Sequence, residues 1–136
     1  MADATLGASW IPGAGAQFLD GTSGEVITIG NACYLDSATN TFKKAQCDGT
    51  LAESQVVGFA TATVISGAHL RVQTQGQATV SGASLTKGVL YYLSATAGSP
   101  TGVVADIVST NYITHTFGAL TSTTVDIKIH VLGVVL

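Results

Sequence analysis

Apolar and polar residues alternate one for one near the C-terminal end of this chain. Val125, Ile127, Ile129 and Val131 are separated by Asp126, Lys128 and His130. Only a strand sends successive side chains to opposite faces, so the pattern specifies a half-buried strand. A second segment repeats it: Leu70 and Val72 point one way, and His69, Arg71, Gln73 and Gln75 the other. Helical signals are nearly absent. Glu occurs only at positions 25 and 53, and few windows carry apolar residues at helical spacing. Short runs of Val, Ile, Thr and Tyr, cut by Gly, Asn, Asp and Ser, predict strands at 25–29, 32–36, 42–47, 55–64, 68–74, 77–81, 88–94, 102–109, 111–117 and 124–135. So many short strands with turns between them predict an all-β fold, an antiparallel β-sandwich or jelly-roll-like barrel over residues 25–136. Val57, Phe59, Leu70, Val72, Leu90, Tyr92, Ile127, Ile129 and Val131 are expected to face inward.

Residues 1–24 read differently. The stretch from Gly7 to Ala16 has no period, yet it holds the only Trp, with Ile11, Phe18 and Leu19 close by. We expect an extended N-terminal arm in which Trp10, Ile11, Phe18 and Leu19 make contact between chains. The alternative is that Trp10 caps the open end of its own sandwich, as buried aromatics do.

A weak internal repeat runs through the rest. Ile27–Leu35 aligns with Leu85–Leu93 at an offset of 58, sharing [Ile/Leu]-Thr-x-Gly-x-x-x-Tyr-Leu. Further on, each copy reaches a Gly flanked by apolar residues, at 56–60 and 131–135. The physical reading is a repeated strand–turn–strand unit with Tyr34 and Tyr92 as paired aromatics.

Composition narrows the function classes. The chain has 136 residues, five basic and eight acidic, for a net charge of −3. Nucleic-acid binding is disfavoured, because it requires a clustered basic face. No apolar run approaches the roughly 18 residues that cross a membrane as a helix, and the first residues do not read as a signal peptide. Nearly half of the residues are Gly, Ala, Ser or Thr, and only 10% are charged. Such a surface suits contact with other protein. Cys33 and Cys47 lie at equal distances from Asn40. A hairpin centred there would oppose them, reduced in cytosol and oxidisable outside it. The plainer reading is two small buried apolar residues.

Recognisable chemistry is missing from the sequence. There is no phosphate loop, paired-histidine zinc helix or nucleophile elbow. His69, His115 and His130 are far apart in sequence and read as surface or rim residues; Asp20, Asp36 and Asp48 sit where Asp makes turns. We therefore expect no enzyme, no catalytic residue, no cofactor and no metal ligand. The stripe His69, Arg71, Gln73, Gln75 is either a solvated face or a contact face for a protein or glycan.

Several segments carry a family likeness. Gly30-Asn31-Ala32-Cys33-Tyr34-Leu35, then Lys44-Ala45, then Val57-Gly58-Phe59-Ala60, resemble small β-rich proteins of tailed bacteriophages. So do Gly76-Gln77-Ala78-Thr79-Val80 and Gly88-Val89-Leu90-Tyr91-Tyr92-Leu93-Ser94. The pattern is similar to head decoration, or cement, proteins, and it recurs in tail-fibre modules. The resemblance covers about residues 25–100 and leaves the first 24 unmatched. It implies a structural virion protein on the outer capsid surface, made in the host cytoplasm. Its partner would be the major capsid protein, and it would form a homo-oligomer, trimer or dimer. A tail-fibre or receptor-binding β module is the alternative.

Overall fold

A computed structural model describes residues 9–81, 83–102 and 111–135. The described chain is built of strands. They are β1 (Ile11–Pro12), β2 (Gln17–Thr22), β3 (Ala32–Asp36), β4 (Thr41–Lys44), β5 (Gly58–Ala60), β6 (His69–Thr79), β7 (Leu90–Leu93), β8 (Pro100–Thr101), β9 (Tyr112–Ala119) and β10 (Thr124–Val135). A 3-10 turn at Ala52–Ser54 is the one helical piece among the described residues. The all-β, antiparallel fold expected from the alternation is therefore present.

The pairing order is β4-β3-β5-β6-β10-β9-β7-β8, with β1 and β2 also on β6. Read from either end, the order follows the same rule: the first strand of each half lies between the second and third, and the fourth strands pair with each other. The offset-58 repeat is thus a repeat of topology. Its shared glycine has a conformational cause. Gly30 and Gly88 have φ of 85° and 83°, a region open mainly to glycine. Each sits in a turn closed by a backbone hydrogen bond, Asn31 N–H to Thr28 O (3.0 Å) and Val89 N–H to Thr86 O (3.2 Å). The proposed second element of the repeat does not correspond, since Gly58–Ala60 is a third strand and 131–135 belongs to a fourth. Residues related by the offset do meet in the core: the Phe59 and Phe117 rings pack edge to face with centroids 5.5 Å apart.

β6 holds the halves together. Its His69–Gln75 stretch pairs with β2, residues 72–73 also pair with β5, and residues 76–79 pair with β10. β1 pairs with Ala78 and Thr79, so the stretch before residue 25 runs alongside β6 from one end to the other. Beyond β2, Ser23 bridges Phe42, and Gly24 N–H donates to Phe42 O at 2.8 Å. The path β4-β3-β5-β6-β2 thereby closes on itself around Ile27, Cys33, Phe42, Ala60, Leu70 and Val72. A larger core includes Trp10, Phe59, Tyr91, Leu93, Phe117 and Ile127.

Several expectations need correction. The segments expected at 68–74 and 77–81 are one strand, because Gly76 at φ 94° carries the chain through the change of partners. The 55–64 strand shrinks to β5, and 25–29 contributes only the isolated Ile27–Val64 bridge. The strand expected at 102–109 lies almost wholly outside the described residues. In β7 the phase is reversed: Tyr91 and Leu93 are buried, Leu90 is 56% exposed and Tyr92 is half-buried. Val57, Ile129 and Val131 are half-buried.

The cysteine pairing also fails. In the β3–β4 hairpin Cys33 faces Lys44, and Leu35 faces Phe42. The Asp36 side chain sets this register by accepting from Ala38 N–H (3.1 Å) and Thr39 O–H (3.0 Å), while Asn40 at φ 55° donates its N–H to Asp36 O (2.6 Å). Hairpin symmetry therefore falls before Asn40. Cys33 enters the small core and Cys47 the large one, neither in a disulfide. Burial, reinforced by the Glu25 charge, pushes the Cys33 thiol up to about 12. Thiolate is the reactive species, so Cys33 is inert at neutral pH. Thiol counting should find two groups only after denaturation, on fresh and aged protein alike; a native or ageing-induced Cys33–Cys47 disulfide would contradict this register.

Candidate functional site

The residues singled out in the sequence lie around β2 and β6. All of β2 but Gly21 is exposed. A Cβ on Gly21 would meet the Phe42 ring at 2.6 Å, so a small residue is required where β2 passes over the small core. The Asp20 carboxylate accepts from Arg71 Nε (2.9 Å) and from a terminal guanidinium nitrogen (3.3 Å), with His69 Nε2 at 3.3 Å. These contacts, the Arg71 hydrogen bond foremost, hold Asp20 below its ordinary range. The Arg71 guanidinium lies over the Phe18 ring, 5.2 Å from its centroid. His69 and Arg71 therefore fasten β2 to β6.

The stripe does not form one face. His69, Arg71 and Gln75 are exposed, but Val72 and Gln73 are buried one after the other. Alternation fails because β6 has strands on both edges there and passes from one core to the other. Gln73 accepts from Trp10 Nε1 at 2.9 Å and donates its amide to Gln75 O (3.1 Å) and Gln77 O (2.9 Å). Its whole carboxamide is satisfied, so its burial carries no unpaired-group penalty. Trp10 itself is 6% exposed and stacks on Phe59 at 5.6 Å. It faces its own core, as in the capping alternative, and is withdrawn from the contact surface. Ile11, Phe18 and Leu19 remain exposed, at 59%, 39% and 40%.

A second surface was not singled out in the sequence. On the outer face of β7, β9 and β10, Gly118 lies opposite both Leu90 and Asp126. A glycine between two side chains leaves a hollow. The resulting open depression has a volume of about 560 Å³ and is also lined by Leu120, Ile129 and Lys128. His115 and His130 line it too, directly opposed across β9 and β10 with ring centroids 6.2 Å apart. The Tyr92 ring meets His115 edge to face at 4.5 Å. Lys128 Nζ lies 3.4 Å from Asp126 Oδ2, so these opposite charges offset one another.

The depression therefore offers an apolar floor and two imidazoles. Among the described residues no three His, Cys, Asp or Glu side chains converge as a metal-holding group. Its polar edge follows from the outward phase of Asp126, Lys128 and His130, which the sequence shows. The join to His115 requires the β9–β10 register. No protein family, curated protein or solved structure matches this chain.

Proposed function

We propose that the chain is a structural virion protein, a decoration or cement protein of a tailed-phage head. It binds the assembled shell on its outer surface and bridges neighbouring major capsid subunits, itself as a homo-oligomer. The observation that carries this reading is exposed apolar surface at several places on a chain of which only 10% is charged. Ile11, Phe18 and Leu19 are exposed along the β1–β2 edge, Leu90 and Leu120 at the depression, and Leu132 and Val134 at the end of β10. Apolar surface in several places suits a bridge, which contacts more than one neighbour. Each contact contributes roughly 25 cal/mol per Å² of apolar area removed from water. Repetition over a symmetric lattice multiplies weak contacts through avidity. Binding the assembled shell and not free subunits stabilises the shell by mass action.

The sequence likeness supports the same reading through Gly30 to Leu35 and Gly88 to Ser94. The test is sedimentation of the purified chain with heads, free capsid subunits and tails. Many copies should travel with heads, and a Phe18→Asp, Leu19→Asp double variant should bind at least about tenfold more weakly if these side chains are buried on the shell. Recovery with tails would favour the fibre-module reading, and no binding to heads would end the cement reading.

A further inference from the structure

We propose that His115 and His130 form a two-imidazole clamp for a divalent transition-metal ion of the copper, nickel or zinc class. The clamp is independent of the capsid reading. The argument begins with register. His130 is the direct β-partner of His115, so both imidazoles stand on one face of adjacent strands without any loop to position them. Their ring centroids are 6.2 Å apart and the planes are 82° to one another. Two imidazoles sharing one ion at about 2.1 Å each place their ring centres roughly 4.5–5.5 Å apart at octahedral or tetrahedral angles. The observed spacing is about 1 Å wider, a gap that the broad imidazole torsions can close as each nitrogen turns inward.

The surroundings favour the same ion class. Imidazole nitrogen suits copper, nickel and zinc, whereas magnesium and calcium require oxygen donors. Tyr92 packs edge-on against His115 and limits where that ring can turn. His130 is exposed and free to adjust. The nearest cation, Lys128, is held by Asp126, which offsets its repulsion of the ion. The open depression leaves room for water to fill the remaining coordination positions. Two donors on paired strands bind better than one because the second is held nearby when the first engages. Sequence spacing hides the pair, since its members are 15 positions apart on different strands.

His69 is a built-in control. It is exposed, lies on β6 and pairs with Asp20. The experiment is calorimetric titration of the untagged full chain with nickel chloride, alongside His115→Gln, His130→Gln and His69→Gln variants, each checked for folding by circular dichroism. One nickel per chain is expected. Either clamp variant should weaken binding at least about tenfold, as loss of one of two neighbouring donors requires. The His69→Gln variant should match the parent. Copper should bind more tightly than nickel, and zinc less tightly than copper. In NMR spectra the His115 and His130 ring signals should shift together on adding zinc while the His69 signals stay. No saturable binding, unchanged affinity in both clamp variants, or an equal loss in His69→Gln would overturn the proposal.

Discussion

Replacing Trp10 with alanine is expected to remove a large part of the folding stability. The ring is 6% exposed, stacks on Phe59 and heads an aromatic series that continues through Phe117 to Tyr91. Truncating a buried Trp costs about 3–5 kcal/mol through lost transfer energy and the cavity left behind. The same change strips Gln73 Oε1 of its donor inside the core. An unsatisfied buried acceptor adds about 1–3 kcal/mol. The total is comparable to the whole stability of a small domain, about 5–15 kcal/mol. Two companion variants separate the causes. Trp10→Phe keeps most of the volume and loses the N–H, so it should cost only the acceptor term. Ile11→Ala removes a side chain that is 59% exposed and should stay within about 0.5 kcal/mol of the parent. Urea midpoints followed by circular dichroism give the comparison. If Trp10→Ala behaved like Ile11→Ala, Trp10 would not belong to its own core, and an intermolecular arm would again be the better account.

The contrast between Trp10 and Ile11 illustrates how much of this molecule is written locally. Alternation over 125–131 identifies β10 as a strand and places Val125 and Ile127 correctly in the core. It overstates Ile129 and Val131, because the β9–β10 register shifts between Ile127 and His130 and the alternation loses its phase there. The shared Gly of the repeat is legible because only a positive φ explains its place in both turns. The phase of β7 is not legible, since Val89-Leu90-Tyr91-Tyr92-Leu93 is apolar or aromatic throughout. There the decision comes from outside the strand, through a register shift against β9 and a Thr86 N–H bond to the Tyr91 hydroxyl. Gln73 looks like any polar member of an alternating strand; its partner Trp10 lies 63 residues away. The His115–His130 pairing is long-range in the same sense. Residue type and period fix faces, whereas joining faces depends on register, which bulges and turns decide.

Gly76→Ala should be among the most damaging single-methyl additions, and it tests whether the N-terminal segment is locked to β6. Two costs combine. Gly76 has φ 94°, where an L side chain is strained by about 1–2 kcal/mol. Its added Cβ would also fall on the Gly15 backbone carbon and oxygen. That backbone cannot move aside cheaply. Gly13 N–H donates to Gln77 O at 2.7 Å and Gln77 N–H to Ala14 O at 2.9 Å, which ties the two segments together beside the contact. Relieving the clash means breaking those bonds, at about 1 kcal/mol each. A total of about 3–4 kcal/mol follows. Gly67→Ala isolates the first cost: its φ is 85° and no atom lies within 4 Å of the new methyl, so about 1–2 kcal/mol is expected. Gly58→Ala isolates the second, since a Cβ there would sit 2.6 Å from Gln73 O without a positive φ. Equal losses for Gly76→Ala and Gly67→Ala would mean that residues 13–16 yield freely. The turn between β1 and β2 would then be a loose contact, with Trp10 still fixed in the core before it. Losses in the order Gly76 above Gly67 place the β1–β2 edge inside the cooperative unit, where removing it unfolds the rest.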